Sequence, residues 1–259
     1  MCRRIVLPLL VALLAGGAAR AGEGLFVETE TGLDLGNTGT AGAGADWSAG
    51  SVALRLGIHR RGPGFNCGLR FKGLSVGETE FTQPDLDVEA KGHVSGFALD
   101  GYAGWGWQLG QSCTLSALGG LGFRDYRAGF VTEEVLGQDI DVEVSTRALT
   151  LDLGLRLDAA LSEQVTWTIS LWGGPVIAGD VTADAHWFLF SYKETRDIQA
   201  GVFFEFRTGL DLKVAKNLYV NLGVVLEAFA VDVNIHDDDE IDGLALSQAA
   251  FTLGLTWKF

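Results

Sequence analysis

Basic residues, cysteines and prolines are scarce in this chain of 259 residues. Acidic residues outnumber basic ones by 33 to 19, and the net charge of −14 excludes a nucleic-acid-binding protein that relies on a basic surface. Of the three cysteines, Cys2 lies near the N-terminus, and the spacing of Cys67 and Cys113 does not suggest a zinc site. No cofactor is predicted.

A transmembrane helix is also missing, although the chain is apolar overall. Hydrophobic residues make up 47% of the sequence and the mean hydropathy is +0.22, which is high for a soluble exported protein. The one uncharged stretch long enough to span a bilayer, Gly101 to Phe123, is rich in glycine and contains Gln108 and Gln111, so it is a poor sequence for a buried helix. With 36 glycines, the composition instead fits a curved β-sheet.

The N-terminal segment predicts export. Two arginines precede an apolar run from Ile5 to Leu14, and small residues follow up to Ala21, after which we expect cleavage. The apolar run is too short to span a bilayer as a helix. Residues 1–21 are therefore predicted to be a cleaved signal peptide, and residues 22–259 to form the exported domain.

Apolar residues recur at every second position in ten segments of the exported part. This period makes one face of each segment apolar and is typical of strands in a barrel that crosses a bilayer. The ten segments are Leu25–Leu35, Val52–Ile58, Phe65–Ser75, Val94–Leu109, Cys113–Phe123, Leu149–Leu157, Val165–Gly173, Ala200–Val214, Leu218–Ala228 and Ala245–Phe259. The predicted fold class is all-β, a transmembrane antiparallel up-and-down barrel of ten strands. Eight strands are the alternative if the first two segments are not strands.

Short and long connections alternate between these segments, as they do in an outer-membrane barrel. The short ones are predicted periplasmic turns, which places both chain ends in the periplasm. The long ones are predicted outer loops and cover residues 36–51, 76–93, 124–148, 174–199 and 229–244. Six aromatic residues then fall near the periplasmic rim, as an interfacial girdle requires. They are Trp105, Trp107, Trp167, Tyr219, Trp257 and Phe259. One of them, Tyr219, occupies a position whose side chain is predicted to face the lumen.

The last segment carries the alternation to the final residue. Phe251, Leu253, Leu255, Trp257 and Phe259 share one face of the predicted strand. This strand resembles the C-terminal strand of bacterial outer-membrane β-barrels, whose terminal aromatic residue is read by the barrel assembly machinery. The resemblance implies that Trp257 and Phe259 form an assembly signal. We expect a monomer in the outer membrane, surrounded by membrane lipid.

The opposite parity of the predicted strands faces the lumen and collects charges of both signs. In so narrow a barrel these side chains should fill the space and pair with one another, because unpaired buried charges are costly. They are Glu28, Glu30, Asp34, Arg55, His59, Arg70, Lys72, Asp100, Arg124, Asp152, Arg156, Asp158, Glu205, Arg207, Asp211, Lys213 and Glu227. The lumen is therefore predicted to be an ion-paired plug, with a narrow channel as the alternative.

Two further features leave alternatives open. Cys67 and Cys113 fall on strands separated by a third one, roughly 9–10 Å apart, which exceeds the usual reach of a disulfide unless a turn bends. The acidic run Asp237, Asp238, Asp239 and Glu240 in the last outer loop is either a solvated loop or a weak site for a divalent cation such as calcium or magnesium. His59 and His93 lie at predicted strand ends and are expected to be solvated or paired.

Two carboxylate-containing motifs occur in different outer loops. Asp85 and Asp87 lie in the second loop, and Asp184 and His186 in the fourth. A carboxylate can orient an imidazole and raise its basicity, and a pair of carboxylates can hold a water molecule. In an extended backbone each pair shares one face, so the two pairs are able to meet across a barrel mouth.

This arrangement resembles the omptins, a family of ten-stranded outer-membrane proteases with an Asp-x-Asp pair on the second outer loop and an Asp-x-His pair on the fourth. The resemblance implies that Asp184 and His186 activate a water molecule and that Asp85 and Asp87 hold it. It covers the topology of most of the chain, but the family's Trp-Thr-Asp-x-Ser-x-His-Pro stretch is missing.

A second resemblance to the omptins concerns lipid. The run Phe123-Arg124-Asp125-Tyr126-Arg127 is similar to the family's Tyr-x-Glu-x-Arg run, which is implicated in lipopolysaccharide binding. In the predicted register Phe123, Asp125 and Arg127 share the outward face, so Arg127 is able to meet a lipid phosphate.

Three functions follow from these observations. The leading interpretation is a non-enzymatic surface barrel with acidic outer loops that interacts with lipopolysaccharide, divalent cations or an external ligand. The alternative is an omptin-like endopeptidase that cuts cationic peptides, which a strongly acidic surface would attract. The third is a narrow, porin-like channel.

Overall fold

A computed structural model of the chain describes residues 24–40, 43–83, 88–135, 138–187, 190–233 and 244–259. All secondary structure in these ranges is β. No helix in the described ranges has the length and apolarity needed to cross a membrane. The segment Gly101 to Phe123, predicted to be a poor helix, forms parts of two strands and the turn between them.

Eleven strands account for almost all of the described residues. Most of them alternate in burial along their length, as the period of two in the sequence requires. The strands are β1 Gly24–Thr40, β2 Ala43–Arg61, β3 Gly64–Gln83, β4 Val88–Leu109, β5 Cys113–Val135, β6 Gln138–Ala160, β7 Val165–Trp187, β8 Phe190–Asp197, β9 Ala200–Ala215, β10 Leu218–Asp232 and β11 Leu244–Lys258.

The sheet closes on itself into a barrel. Neighbouring strands pair antiparallel in chain order, β11 pairs with β1, and β6 pairs with β7, so that ten strands form a ring. The eleventh, β8, continues β9 in the same register against β7, since Asp180 opposes Asp197 and Pro175 opposes Val202. The ten-stranded antiparallel barrel is confirmed, and the eight-stranded alternative is wrong.

The strands are much longer at one end than the sequence pattern predicts. The predicted outer loops 36–51, 76–93, 124–148 and 174–199 are largely strand, so that description of these loops is wrong. In the extension of β6 the outward residues Asp141, Glu143 and Arg147 are charged, whereas the prediction relied on an apolar outward face. We call this the hairpin end of the barrel. The opposite end, with tight turns in which Gly62 and Gly110 adopt positive φ, is the short-turn end and agrees with the prediction.

An apolar belt surrounds the middle of the barrel. On β6 the outward residues Leu151, Leu153 and Leu155 are exposed by 45%, 68% and 52%, and on β5 the outward apolar positions run from Cys113 to Phe123. This is about the number of residues, roughly 9–11, that a tilted strand needs to cross a bilayer. A belt of this size is far larger than the apolar patches of soluble monomers, so its solvent is lipid.

Aromatic residues line the belt at the short-turn end. Trp105, Trp107, Trp167 and Trp257 are exposed on the outer surface, and so is Phe259 beyond β11. Each lies on a strand close to one of the tight turns, as the predicted interfacial girdle requires. Tyr219 is inside, at the wall of a vestibule of about 310 Å³ at this end, which agrees with its predicted parity.

Candidate functional site

The lumen is filled by a network of ion pairs. Arg70 of β3 lies 2.5 Å from Glu205 and 3.0 Å from Asp100, and Arg124 lies 3.2 Å from Asp100. Lys72 contacts Glu227 at 2.7 Å. These contacts join side chains from β3, β4, β5, β9 and β10 across the barrel, so the predicted ion-paired plug is confirmed. The side chain of Asp34, which was included in the prediction, lies outside the described residues.

His59 is part of the same network. Its ring is almost fully buried, with Nε2 3.0 Å from Glu28 and Nδ1 2.5 Å from the hydroxyl of Tyr102. Glu28 also contacts Arg61 at 2.5 Å and Arg207 at 3.3 Å. Of the two predicted environments for His59, solvated or paired, the structure shows the paired one, because Glu28 on the adjacent strand faces the same lumen.

An apolar layer closes the lumen above the ion pairs, towards the hairpin end. Tyr126, Phe203 and Phe229 are at most 2% exposed and pack with Val94 and Val231. The hydroxyl of Tyr126 donates to Glu227 at 3.1 Å and so joins the two layers. The internal cavity among the charged side chains has a volume of about 30 Å³, room for very few water molecules. The sequence pattern does not reveal this layer, because Tyr126 and Phe229 lie in predicted outer loops and the lumen was predicted from its charged residues alone.

At the upper edge of the belt, aromatic residues give way to charges. Phe71, Phe97 and Phe123 form a ladder on the outer surface, with ring centroids 6.2 Å and 5.8 Å apart. The next outward residue of β5 after Phe123 is Asp125, which directly opposes Phe97 in the register. The change from apolar to charged side chains within one residue pair places the boundary of the belt at this height.

Asp125 lies between two arginines on the outer surface. Its two carboxylate oxygens are each 3.6 Å from an arginine Nε, that of Arg127 on β5 and that of Arg147 on β6. The arginine side chains are 49% and 58% exposed, whereas that of Asp125 is 12% exposed. Phe123, Asp125 and Arg127 thus share the outward face, as predicted. We call Asp125, Arg127 and Arg147 the boundary cluster.

Arg147 was not identified from the sequence. It lies in a predicted outer loop, yet it continues the outward parity of Leu149 and Leu151 on β6 and opposes Asp125 in the register. Extending the alternation of β6 by one pair of residues would have found it. The apolar pattern alone does not identify Arg147, because the predicted strand ends where the outward residues stop being apolar.

Asp184 and His186, predicted as an activating dyad, are in contact but face away from the barrel axis. Nε2 of His186 lies 3.0 Å from Asp184, whose other oxygen accepts a hydrogen bond from Lys193 at 3.2 Å. Val181 on the same strand packs against the buried apolar layer and therefore points inward. Because successive side chains of a strand point to opposite faces, Asp184 and His186 point outward. Asp85 and Asp87 lie outside the described residues.

The inner face of β8 carries a different set of side chains. Tyr192 donates a hydrogen bond to the carboxylate of Glu194, which also pairs with Arg196. The hydrogen bond raises the pKa of Tyr192 above its usual value and lowers the pKa of Glu194. Arg196 is therefore an exposed, locally neutralised arginine that does not belong to the boundary cluster.

The remaining predicted site residues are placed as follows. Cys67 and Cys113 are both free, as the distance argument favoured. The acidic run Asp237, Asp238, Asp239 and Glu240 lies outside the described residues. Within the described ranges, no group of three His, Cys, Asp or Glu residues is placed to hold a metal ion. Trp257 and Phe259 face the outer surface at the short-turn end.

Comparison with known proteins shows a likeness in fold. No protein-family model and no curated protein matches the sequence. The outer membrane protease OmpT from Escherichia coli aligns over 94% of this chain and 99% of its own, with a TM-score of 0.65 and 10% sequence identity. The translocator domain of the autotransporter NalP from Neisseria meningitidis aligns over 98% of this chain and 94% of its own, with a TM-score of 0.51 and 11% identity.

At these identities the likeness establishes the fold and no more. Together with the apolar belt, it defines the class of protein as a closed antiparallel β-barrel of the bacterial outer-membrane type. Its distinguishing features are a closed, ion-paired lumen and a charged cluster at the edge of the belt. Similarity in fold to a protease does not show that this chain has a protease site, because function depends on the side chains that a fold carries.

We expect the substitution Arg70→Ala to destabilise the barrel strongly. It leaves Glu205 and Asp100 buried without this partner, and breaking a buried ion pair costs about 3–5 kcal/mol. The measurement is the free energy of unfolding by urea in detergent micelles. The control is Arg196→Ala, which removes an exposed ion pair worth at most about 1 kcal/mol. Equal losses for the two variants would contradict the structural role of the network.

We also expect the barrel not to conduct ions. The charged network and the apolar layer fill the lumen in the part of the chain that the structure describes. The purified protein, inserted in a planar lipid bilayer, should give no stepwise current under an applied voltage. Reproducible conductance steps that scale with protein concentration would support the channel alternative instead.

Proposed function

We propose that the protein is an outer-membrane surface barrel that binds lipopolysaccharide through the boundary cluster. In this proposal the short-turn end faces the periplasm and the hairpin end projects outside, the usual arrangement of such barrels. The observation that carries the proposal is the pair of half-exposed arginines, Arg127 and Arg147, around Asp125 at the upper edge of the belt.

The position of the cluster supports a lipid ligand. The phenylalanine ladder that ends at Phe123 lies just below it, next to where acyl chains would contact the barrel. Arg127 and Arg147 then lie at the height of the headgroups, where lipopolysaccharide carries phosphates. Guanidinium groups bind phosphate with two parallel hydrogen bonds, which makes arginine well suited to this position.

The energetics of the cluster also favour a binding role. Exposed ion pairs contribute about 0–1 kcal/mol to stability, and contacts of 3.6 Å are too long to be good hydrogen bonds. The cluster therefore has little to add to the stability of the fold. Asp125 holds the two guanidinium groups close together on neighbouring strands while their exposed sides remain accessible to a phosphate.

The double variant Arg127→Ala/Arg147→Ala should bind lipid A at least tenfold more weakly than the unchanged protein. Each charge-assisted hydrogen bond contributes about 1.5–3 kcal/mol, and about 1.4 kcal/mol corresponds to a factor of ten. Binding is measured as the rise in thermal unfolding temperature of the detergent-solubilised barrel with increasing lipid A.

Arg196→Ala is the matched control, because it removes an exposed arginine from the inner face of β8. Its lipid A affinity should equal that of the unchanged protein. Dephosphorylated lipid A should bind the unchanged protein as weakly as lipid A binds the double variant. Undiminished binding by the double variant would refute the proposal.

Endopeptidase activity is the second candidate function, favoured by the 3.0 Å contact between Asp184 and His186. Two observations weigh against it: the pair faces away from the barrel axis, and Lys193 occupies the second oxygen of Asp184. We therefore favour the binding function.

We expect no cleavage that depends on His186. The assay uses a fluorogenic peptide with two adjacent basic residues, with lipopolysaccharide present, and compares the unchanged protein with His186→Ala. Equal background rates are the expected result. A rate that falls at least a hundredfold in His186→Ala would establish the peptidase and overturn our preference, since general acid–base groups contribute about 10²–10⁴-fold.

A further inference from the structure

A row of hydroxyl groups crosses the outer surface immediately above the boundary cluster. Ser95, Arg127, Ser145, Thr182 and Thr195 oppose one another in turn across β4, β5, β6, β7 and β8. The hydroxyls of Thr182 and Thr195 are 2.9 Å apart. We call the four hydroxyl residues the hydroxyl row. Arg127 of the boundary cluster lies between Ser95 and Ser145 in this line of opposed residues, so the row and the cluster are continuous.

The surface above the row is also polar. The next outward positions on β6, β7 and β8 are Glu143, Asp184 and Lys193, followed by Asp141, His186 and Ser191. At about 3.3 Å per residue, these rows lie roughly 7 and 13 Å along the strands beyond the hydroxyl row. This part of the sheet therefore rises well above the lipid belt and presents hydroxyl, carboxylate, imidazole and ammonium groups on one face.

The polar face is continuous with the boundary cluster, which lies beneath it on β5 and β6. Near the hairpin ends of β10 and β11 the outward residues are mixed, because Ala228, Ala230 and Ala245 lie beside Ser247 and Asp232.

The chemistry of the face selects its ligand. The outward positions of β6, β7 and β8 above the boundary cluster carry no apolar side chain among the described residues, so an apolar partner is excluded. Glu143, Asp184 and Asp141 supply carboxylate oxygens to the same face. Hydroxyls both donate and accept hydrogen bonds and carboxylates accept them, which suits the closely spaced hydroxyl groups of sugars.

We infer that the hydroxyl row and the carboxylates above it bind the oligosaccharide of the same lipopolysaccharide molecule whose phosphate binds Arg127 and Arg147. This inference rests on the proposed function. It gives Asp184 and His186 a role at the outer surface: Asp184 is held in place by His186 and Lys193 and accepts hydrogen bonds from sugar hydroxyls. The sugars directly follow the phosphorylated lipid in the chain of the ligand, as the polar rows follow the cluster on the barrel.

The experiment compares two probes, lipid A and lipopolysaccharide that has a complete core oligosaccharide but no repeating O-chain. We expect the unchanged protein to bind the core-containing probe more tightly. In Ser145→Ala/Thr182→Ala this advantage should fall by roughly two- to tenfold per lost hydrogen bond, while lipid A affinity stays the same. Ser247→Ala, an exposed serine on β11, is the matched control and should keep the full advantage.

The outcomes separate this inference from the proposed function. Equal affinities of the unchanged protein for the two probes would overturn the sugar site, as would an undiminished advantage in Ser145→Ala/Thr182→Ala. A loss of lipid A affinity in Arg127→Ala/Arg147→Ala would leave the proposed function standing in either case. If those arginine substitutions leave lipid A binding unchanged, the proposed function fails, and the advantage measured with the serine and threonine variants still decides the sugar site.

Discussion

A sheet that crosses lipid has to satisfy its backbone hydrogen bonds within itself, and the rest of this structure depends on that constraint. Each unsatisfied backbone group in hydrocarbon costs several kcal/mol, so the sheet has no open edge inside the belt: β1 pairs with β11, and β6 with β7. Closure with ten strands leaves a lumen too narrow to hold bulk water. The side chains that point inward therefore have to fill it, and those that are charged have to pair.

This order of causes explains the two layers of the lumen. Arg70, Glu205 and Asp100 pair across the barrel because no solvent is available to them there. Towards the hairpin end the inward positions hold Phe203 and Phe229, which need no partners and close the path. Trp172, against which the ring of Tyr102 packs, has room because the facing residue, Gly154, has no side chain. Outside, the same constraint makes the lipid-facing positions largely apolar until the headgroups begin.

Much of this architecture could be predicted from the sequence, because a strand solvated by lipid on one side has a strict period of two. The ten strands, the tight turns, the ion-paired lumen and the outward face shared by Asp125 and Arg127 all follow from that period. The prediction ended where the apolar face ended. It therefore assigned the strand extensions to loops and overlooked Arg147, although the backbone pairing of β5 with β6 continues beyond Arg147, as far as the opposed Val135 and Gln138.

The candidate catalytic residues show a different limit. The i, i+2 spacing of Asp184 and His186 correctly predicted a contact, because such residues share one face of an extended strand. Which face they share depends on an irregularity in β7 near Ile177, where the register against β6 shifts by one residue. A shift of this kind moves every following side chain to the other side of the sheet, and the residue types in this part of β7 do not predict it. The contact between Asp184 and His186 was therefore predictable from the sequence, but the face of the sheet on which they lie was not.

The most direct test of the account is a nitroxide scan of β6 from residue 147 to residue 157 in lipid bilayers, on a background in which Cys67 and Cys113 are replaced by alanine. Accessibility to oxygen should peak at the odd positions from Leu149 to Leu157 and be low at the even ones. Accessibility to a water-soluble nickel complex should appear only at position 147, where the boundary cluster begins. Nickel accessibility along the odd positions, or the absence of any alternation, would contradict a barrel whose outer face is solvated by lipid.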